Sequence, residues 1–229
     1  MSVETNVLRR SVNSLRTFGI RHTLENVVCL VEEYWFEYRY RLQSLTWQEI
    51  DTLDVSANEK FHAHGYKPAR LTHFRHIINR IDLPNNPVFV DFGSGKGRLL
   101  IVAMQLRFCN AVGVELSPSL CAVARENLKR AIPNRVQREA IRIVPCNAAQ
   151  YKIQPDENVF YFYNPFDGIV MAQVLANIVQ SLQTHPRLVW LIYNNPRYGY
   201  IIEQQGMFIE RFIYRYGGSE ATVYSNHVV

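Results

Sequence analysis

Between Val88 and Leu100 the chain reads VFVDFGSGKGRLL, an apolar run that includes an acid and is followed by glycines at the alternate positions 93, 95 and 97. Residues of these types could hold a small zwitterionic ligand. Without a Cβ, Gly93, Gly95 and Gly97 let the backbone turn sharply and approach a bound molecule. A helix beginning near Arg98 would turn free N–H groups toward a carboxylate, and the acceptor-only side chain of Asp91 suits an ammonium group. Two phosphate-binding readings fail on spacing. A P-loop needs G-x-x-x-x-G-K-[ST], but counting back from Gly95-Lys96 puts Val90 at the first glycine, and Gly97 stands where the hydroxyl belongs. The dinucleotide fingerprint G-x-G-x-x-G fits Gly93 and Gly95 but meets Arg98 at its third position. What remains is D-x-G-x-G-x-G, with Ser94 inside the loop.

About 20 residues beyond this loop, AVGVE (111–115) is a second short apolar strand ending in an acid. A carboxylate at this place in a nucleotide-binding sheet accepts hydrogen bonds from ribose hydroxyls, which assigns that role to Glu115. In the following SPSLCAVARENL, Ser117 is a helix cap, Pro118 the first helical residue, and Leu120, Val123, Ala124 and Leu128 an apolar face.

These strands and loops need a domain to hold them. With 229 residues, 48% of them hydrophobic, the chain can bury one large core. The most apolar stretch, VVCLVEEYWFEYRY, is interrupted by Glu32, Glu33, Glu37 and Arg39, so no membrane partner is expected, and no cleavable apolar leader follows Met1. Cys29, Cys109, Cys121 and Cys146 sit singly without a C-x-x-C, as buried thiols of a reducing compartment do, and a cytoplasmic location follows. The net charge of +5 is spread along the chain and argues only weakly for nucleic acid.

Leu8, Val12, Leu15, then Leu24, Val27, Val28 and Val31 recur at helical spacing, with a break expected near Gly19. This N-terminal helical extension, residues 1–60, ends in a polar linker from Asp51 to Lys60 and precedes a catalytic domain at 61–229. Tyr34, Trp35, Phe36, Tyr38 and Tyr40 read as helix packing. A turn at Gly65 to Pro68 leads into a helix that ends before Leu83-Pro84. His62, His64, His73 and His76 lack a companion cluster of acids or thiols and read as solvated or capping residues, so no metal centre is expected. Strands at 141–145, 159–163 and 188–193 alternate with helices at 168–182 and 196–204, the pattern of a parallel sheet. MFIERFIYRYG and EATVYSNHVV then form a hairpin around Gly217-Gly218. The expected fold is α/β: a Rossmann-like, seven-stranded, mostly parallel sheet with a C-terminal antiparallel hairpin and N-terminal helices.

From about Lys67 to Val229 the chain resembles the class I S-adenosylmethionine-dependent methyltransferases. It is most similar to a bacterial group that shares Y-x-P, D-F-G-x-G-K-G-R, G-V-E-L-S-P and Y-N-P-F, here Tyr66 with Pro68, Asp91 to Arg98, Gly113 to Pro118, and Tyr163 to Phe166. A fainter likeness connects it to the Rossmann-type histone lysine methyltransferases. The resemblance implies S-adenosyl-L-methionine as cofactor, with Asp91, Gly93, Ser94, Gly95 and Gly97 at its methionine end, Glu115 at the ribose and Asn147 at the adenine. It implies Tyr66 as a lid residue, and Tyr163, Asn164 and Phe166 as residues that position the acceptor, Asn164 also touching the cofactor. Related N-P-P-[YF] segments serve amino-group acceptors; this chain has one proline there, at Pro165. The acceptor stays open between protein, nucleic acid and small molecule, as does the oligomeric state. A nicotinamide-dependent oxidoreductase is disfavoured by Arg98 and the hairpin. A cofactor-binding module that acts on protein or RNA through the N-terminal helices is the non-catalytic alternative.

Overall fold

Runs such as VFVDF and VFYFY offer almost no polar face, so their strands must be covered on both sides. The computed structural model of the chain, which describes residues 3–226 and side chains from residue 19 onward, shows how this is done. Helices α1 (Val3–Tyr40), α2 (Ala57–Lys60) and α3 (Leu71–Ile78) precede the first strand. Strands β1 (Val88–Phe92), β2 (Asn110–Glu115), β3 (Ile141–Pro145), β4 (Val159–Tyr163), β5 (Trp190–Asn194), β6 (Phe208–Tyr216) and β7 (Ser219–Asn226) form one sheet in the order 3-2-1-4-5-7-6. The first five run parallel, and β7 inserts antiparallel between β5 and β6. Between them lie α4 (Arg98–Gln105), α5 (Pro118–Ala131), α6 (Arg135–Glu139), α7 (Gly168–Thr184) and α8 (Gly199–Gln204). The seven-stranded α/β architecture expected from the sequence is therefore present.

The local signals act as anticipated. Ser117 Oγ accepts from Leu120 N–H at 3.2 Å with Pro118 as the first residue of α5. Gly217 and Gly218, with φ of 55° and 72°, supply the left-handed pair that a tight hairpin turn needs. One face of the sheet packs Phe89 and Tyr161 against Phe74, Ile77 and Ile78 of α3 and Leu100 of α4. The other packs Val90, Phe92, Phe160 and Phe162 against Met171, Val174, Leu175 and Ile178 of α7.

The N-terminal helix departs from the expected packing. It breaks at Gly19 (φ 82°, ψ 173°) as anticipated, but Leu24, Val27, Val28 and Val31 face solvent, with Tyr34, Trp35 and Tyr38 beside them. Its buried face carries Thr23, Cys29, Glu33 and Phe36. The reason lies in the neighbours: this face meets α3 and the Gly217 turn, where hydrogen bonds are made. Arg70 donates to Asn26 Oδ1 at 3.0 Å, Arg75 to Glu32 at 3.1 Å, and Gly217 N–H to Glu25 at 3.2 Å. His73 is likewise not solvated: it is buried under Tyr214, and burial lowers its pKa to about 4. The side chains of Leu8, Val12 and Leu15, and residues His227 to Val229 of the expected last strand, lie outside the described residues.

Phe74 joins α3 to the sheet, its ring 5.1 Å from Phe89 and 5.6 Å from Tyr161 between centroids. Phe74→Ala should cost roughly 3–5 kcal/mol of stability, because the surrounding strands cannot collapse into the space. Urea unfolding measures this, and a loss below about 1 kcal/mol would contradict the packing described.

Candidate active site

The carboxyl ends of β1, β2 and β4 meet at one edge of the sheet, where a parallel α/β sheet binds its ligands. Gly93, Gly95 and Gly97 all have positive φ, at 76°, 54° and 76°. Two of them also lack room for a side chain: a Cβ on Gly93 would stand 2.5 Å from Pro165, and one on Gly95 would stand 2.2 Å from the Tyr66 ring. Glu115 ties this loop to the next one. Its Oε2 accepts from Gly95 N–H at 2.8 Å and its Oε1 from Ser117 N–H at 2.9 Å. Burial raises the Glu115 carboxyl pKa, and the amide bonds oppose that rise. Asp91 is buried as well; burial, then the nearby Glu115 charge, pushes its carboxyl up to about 8.

The segment before α3 crosses this edge. His64 N–H donates to Pro165 O at 3.0 Å, Asp167 N–H to His62 O at 2.9 Å, and Ala63 bridges Phe166. His62 Nδ1 lies 2.7 Å from Asp167 Oδ2, while Asp167 Oδ1 caps α7. Tyr66 meets the glycine loop with its ring edge, Cδ2 and Cε2 standing where a Gly95 Cβ would be. Its hydroxyl donates to Ser44 O at 2.6 Å and the Lys96 ammonium sits 4.9 Å from its ring centroid, held by Thr46 O.

Beneath this segment is a cleft of about 800 Å³. Of the residues singled out in the sequence, Tyr66, Gly93, Glu115, Asn147, Tyr163 and Phe166 line it. Asp91, in β1, and Ser94, Gly95 and Gly97, in the loop that follows it, lie outside the lining. Asn164, with φ of 43°, lies outside the lining and accepts through Oδ1 from the Tyr193 hydroxyl at 3.2 Å. Asn147 Oδ1 accepts from Ala149 N–H at 3.0 Å, leaving one oxygen lone pair. The sequence reading missed Ile50, Leu53 and Val55, which wall the cleft, Leu53 and Val55 from within the expected polar linker and Ile50 from just before it. Apolar residues recurring among its acids were the available signal. Asp54 fixes that stretch by accepting from both Ser117 Oγ and Ser119 N–H.

These residues fit an adenosine carrying a methionine tail. Each Glu115 oxygen spends one lone pair on a backbone amide and keeps another for a ribose hydroxyl. Val114, Leu116, Leu120, Cys146, Ala148 and Phe166 make the apolar slot that a purine needs. A tail reaching past Gly93 would meet the backbone of the glycine loop, and the Asp91 side chain behind it would suit an ammonium group. Gly95→Ala would force Tyr66 aside and leave an alanine in the left-handed region at a cost of about 1–2 kcal/mol. Affinity for S-adenosylhomocysteine should fall about tenfold or more. Adding Tyr66→Ala should recover the steric part of the loss in thermal stability. Unchanged affinity in Gly95→Ala would contradict the packing of loop and ring.

Three comparisons bear on this geometry. The family model described as Histone methylation protein DOT1 matches residues 50–159, from the wall of the cleft through β1 and β2 to the start of β4. No curated protein matches the chain. Among solved structures, the chain is similar to an RNA methyltransferase from Salinibacter ruber in complex with S-adenosyl-L-homocysteine (TM-score 0.51, 18% identity, 69% of this chain and 93% of that one). It is also similar to the tRNA methyltransferase TrmK of B. subtilis (TM-score 0.53, 13% identity, 67% and 64%) and to a SAM-dependent methyltransferase from Aquifex aeolicus (TM-score 0.52, 10% identity, 68% and 89%). At these identities the structural likeness speaks to the fold. Sheet order, glycine loop, the acid at the end of β2 and the family-model match over residues 50–159 together make the chain similar to the class I S-adenosylmethionine-dependent methyltransferases.

Proposed function

We propose that the chain transfers the methyl group of S-adenosylmethionine to an amino nitrogen of a macromolecule, in the cytoplasm. The observation that carries this reading is a continuous wall from Glu115 and Gly93 to Tyr163, Pro165 and Phe166, so that a cofactor on Glu115 ends beside the β4 turn. The cofactor supplies a methyl group already activated on a sulfonium, so the protein's task is in-line positioning. Tyr163 and Phe166 shape the acceptor's path, and Asn164 holds that turn through Tyr193. Lys67 is 5.6 Å from the Tyr163 ring centroid. Its ammonium and the low dielectric of the cleft both disfavour a protonated acceptor amine, which keeps the nitrogen lone pair available. The family model's description names histone methylation, and two structural neighbours are named as RNA and tRNA methyltransferases, which supports a macromolecular acceptor. No helix among the described residues is long and apolar enough to cross a membrane, and all four cysteines are free, in keeping with a cytoplasmic enzyme. Residues 1–60 are proposed as an extension to a methyltransferase domain at 61–229, with its last part, from Ile50, walling the cleft.

Tyr163→Ala should lower methyl transfer to macromolecules of a cell extract about a hundredfold, while S-adenosylhomocysteine affinity stays within about threefold of wild type. Radiolabel counting and calorimetry give the two numbers; parallel losses would make Tyr163 part of the cofactor pocket instead.

Asp91 generates a pH prediction. Its folded pKa of about 8 stands above the unfolded carboxylate range, so the free protein holds a proton there that the unfolded chain releases. Its contribution to stability is full below about pH 4 and is lost as pH rises through about 8. A cofactor ammonium beside Asp91 lowers that pKa, so binding at pH 7 should release up to about one proton. Calorimetry in buffers of different ionisation enthalpy should show this release, and Asp91→Asn should abolish it. Equal apparent enthalpies in all buffers for the wild type would refute the assignment.

A further inference from the structure

A second cleft, of about 990 Å³, lies against the first and is lined by Glu33, Trp47, Lys67, Arg70, Tyr163 and the Gly218 turn among others. Lys67 and Tyr163 line both clefts. Lys67 is exposed, on a flexible stem between the two clefts.

The walls are built to receive a particular chemistry. Glu33 is 8% exposed, and its buried Oε1 has no hydrogen-bond partner. Arg70 donates through Nη2 to Asn26, but its buried Nη1 has no partner. Behind them Arg98 is 2% exposed with Nε, Nη1 and Nη2 all without a partner. Glu33 Oε1 and Arg70 Nη1 are both covered in the free chain, with the Arg98 and Arg70 charges acting on Glu33. Since buried polar groups left unpaired are costly, a side-chain shift that opens the wall would offer an acceptor oxygen and a donor nitrogen to a molecule with an N–H and an acceptor. At the rim Trp47 is 56% exposed, presenting a flat aromatic face. Lys67 and Arg70 outnumber Glu33 in the wall, which favours a ligand with an anionic group outside.

A planar heterocycle with an N–H beside a ring or carbonyl acceptor, attached to a phosphate, meets all of these demands at once. We propose that the second cleft receives the methyl acceptor as an unpaired base of single-stranded nucleic acid, stacked on Trp47, with its edge on Glu33 and Arg70 and a phosphate near Lys67. The proposal rests on the methyltransferase reading above and names the substrate class for it. A lysine side chain could set its ammonium on Trp47, but it brings a further positive charge beside Lys67 and Arg70, where a nucleotide brings a phosphate. Stacking on aromatic side chains together with edge hydrogen bonds is how single-stranded bases are held.

The test is the binding of a fluorescein-labelled, random-sequence single-stranded RNA 12-mer to the intact chain with S-adenosylhomocysteine present, followed by anisotropy. Trp47→Ala, at an exposed position, should weaken binding about tenfold, the loss of one stacking contact. The isosteric Glu33→Gln should weaken it less and change which bases are methylated when radiolabelled cofactor is supplied. Calorimetry of S-adenosylhomocysteine on the same samples separates the two readings. If all proteins bind it and the RNA binds wild type and Trp47→Ala equally, or if a lysine-containing peptide pool takes the label in place of RNA, the nucleobase proposal is overturned while the methyltransferase reading stands. If the wild type does not bind S-adenosylhomocysteine, both fall.

Discussion

Glu115 joins the turn after β1 to the turn after β2 by accepting one amide from each, Gly95 at 2.8 Å and Ser117 at 2.9 Å. This pair of bonds holds the whole carboxyl edge in shape. It fixes Gly95 in the left-handed region, where the absence of a Cβ leaves room for Tyr66. Tyr66 in turn anchors the crossing segment to Ser44, and that segment runs on against Pro165 and Asp167. The same carboxylate that organises the edge offers its remaining lone pairs to the cleft, so fold and ligand recognition share one group.

The two faces of the sheet are unlike at this edge. Above α7 the wall is apolar, with Phe162, Phe166 and Val170 leading to the purine slot. On the α1 and α3 side Asp91 and Tyr161 stand opposite each other on β1 and β4, the Tyr161 hydroxyl accepts from Asn194 Nδ2 at 3.3 Å, and Arg98 and Glu33 are buried as well. Charge buried this way is expensive unless paired, and the structure leaves several of its atoms without a protein partner. A fold maintained at that cost concentrates its unpaired groups where a ligand arrives, which connects the polar layer to the second cleft.

Much of this was legible in the chain itself. β3 and β4 span the residues that their apolar runs mark out, and Ser117, Pro118 and Gly217 act as their types demand, because these signals are local. The glycine loop was readable for the same reason: alternate glycines behind an acid leave few conformations. What escaped depends on contacts distant in sequence. The inward face of α1 could not be chosen from periodicity, since the apolar stripe of Leu24, Val28 and Val31 satisfies a helix better than Thr23, Cys29 and Glu33 do. Only the approach of the Gly217 turn to Cys29 and of Arg70 to Asn26 makes the polar face the buried one. Asn164 was assigned to acceptor positioning by its neighbours in sequence, and the hydroxyl that its side chain meets belongs to Tyr193 on the next strand. The Ile50 to Val55 wall and the unpaired atoms of Glu33, Arg70 and Arg98 likewise arise from segments brought together by the sheet edge.

The central claim is that the cleft under Tyr66 holds S-adenosylmethionine with its ribose on Glu115. A crystal structure of the chain grown with S-adenosylhomocysteine tests it most directly. The account predicts density for the nucleoside in that cleft, both ribose hydroxyls within hydrogen-bond distance of the Glu115 carboxylate and the purine against Leu116 and Phe166. Density for the nucleoside elsewhere, or an empty cleft at saturating ligand, would contradict it.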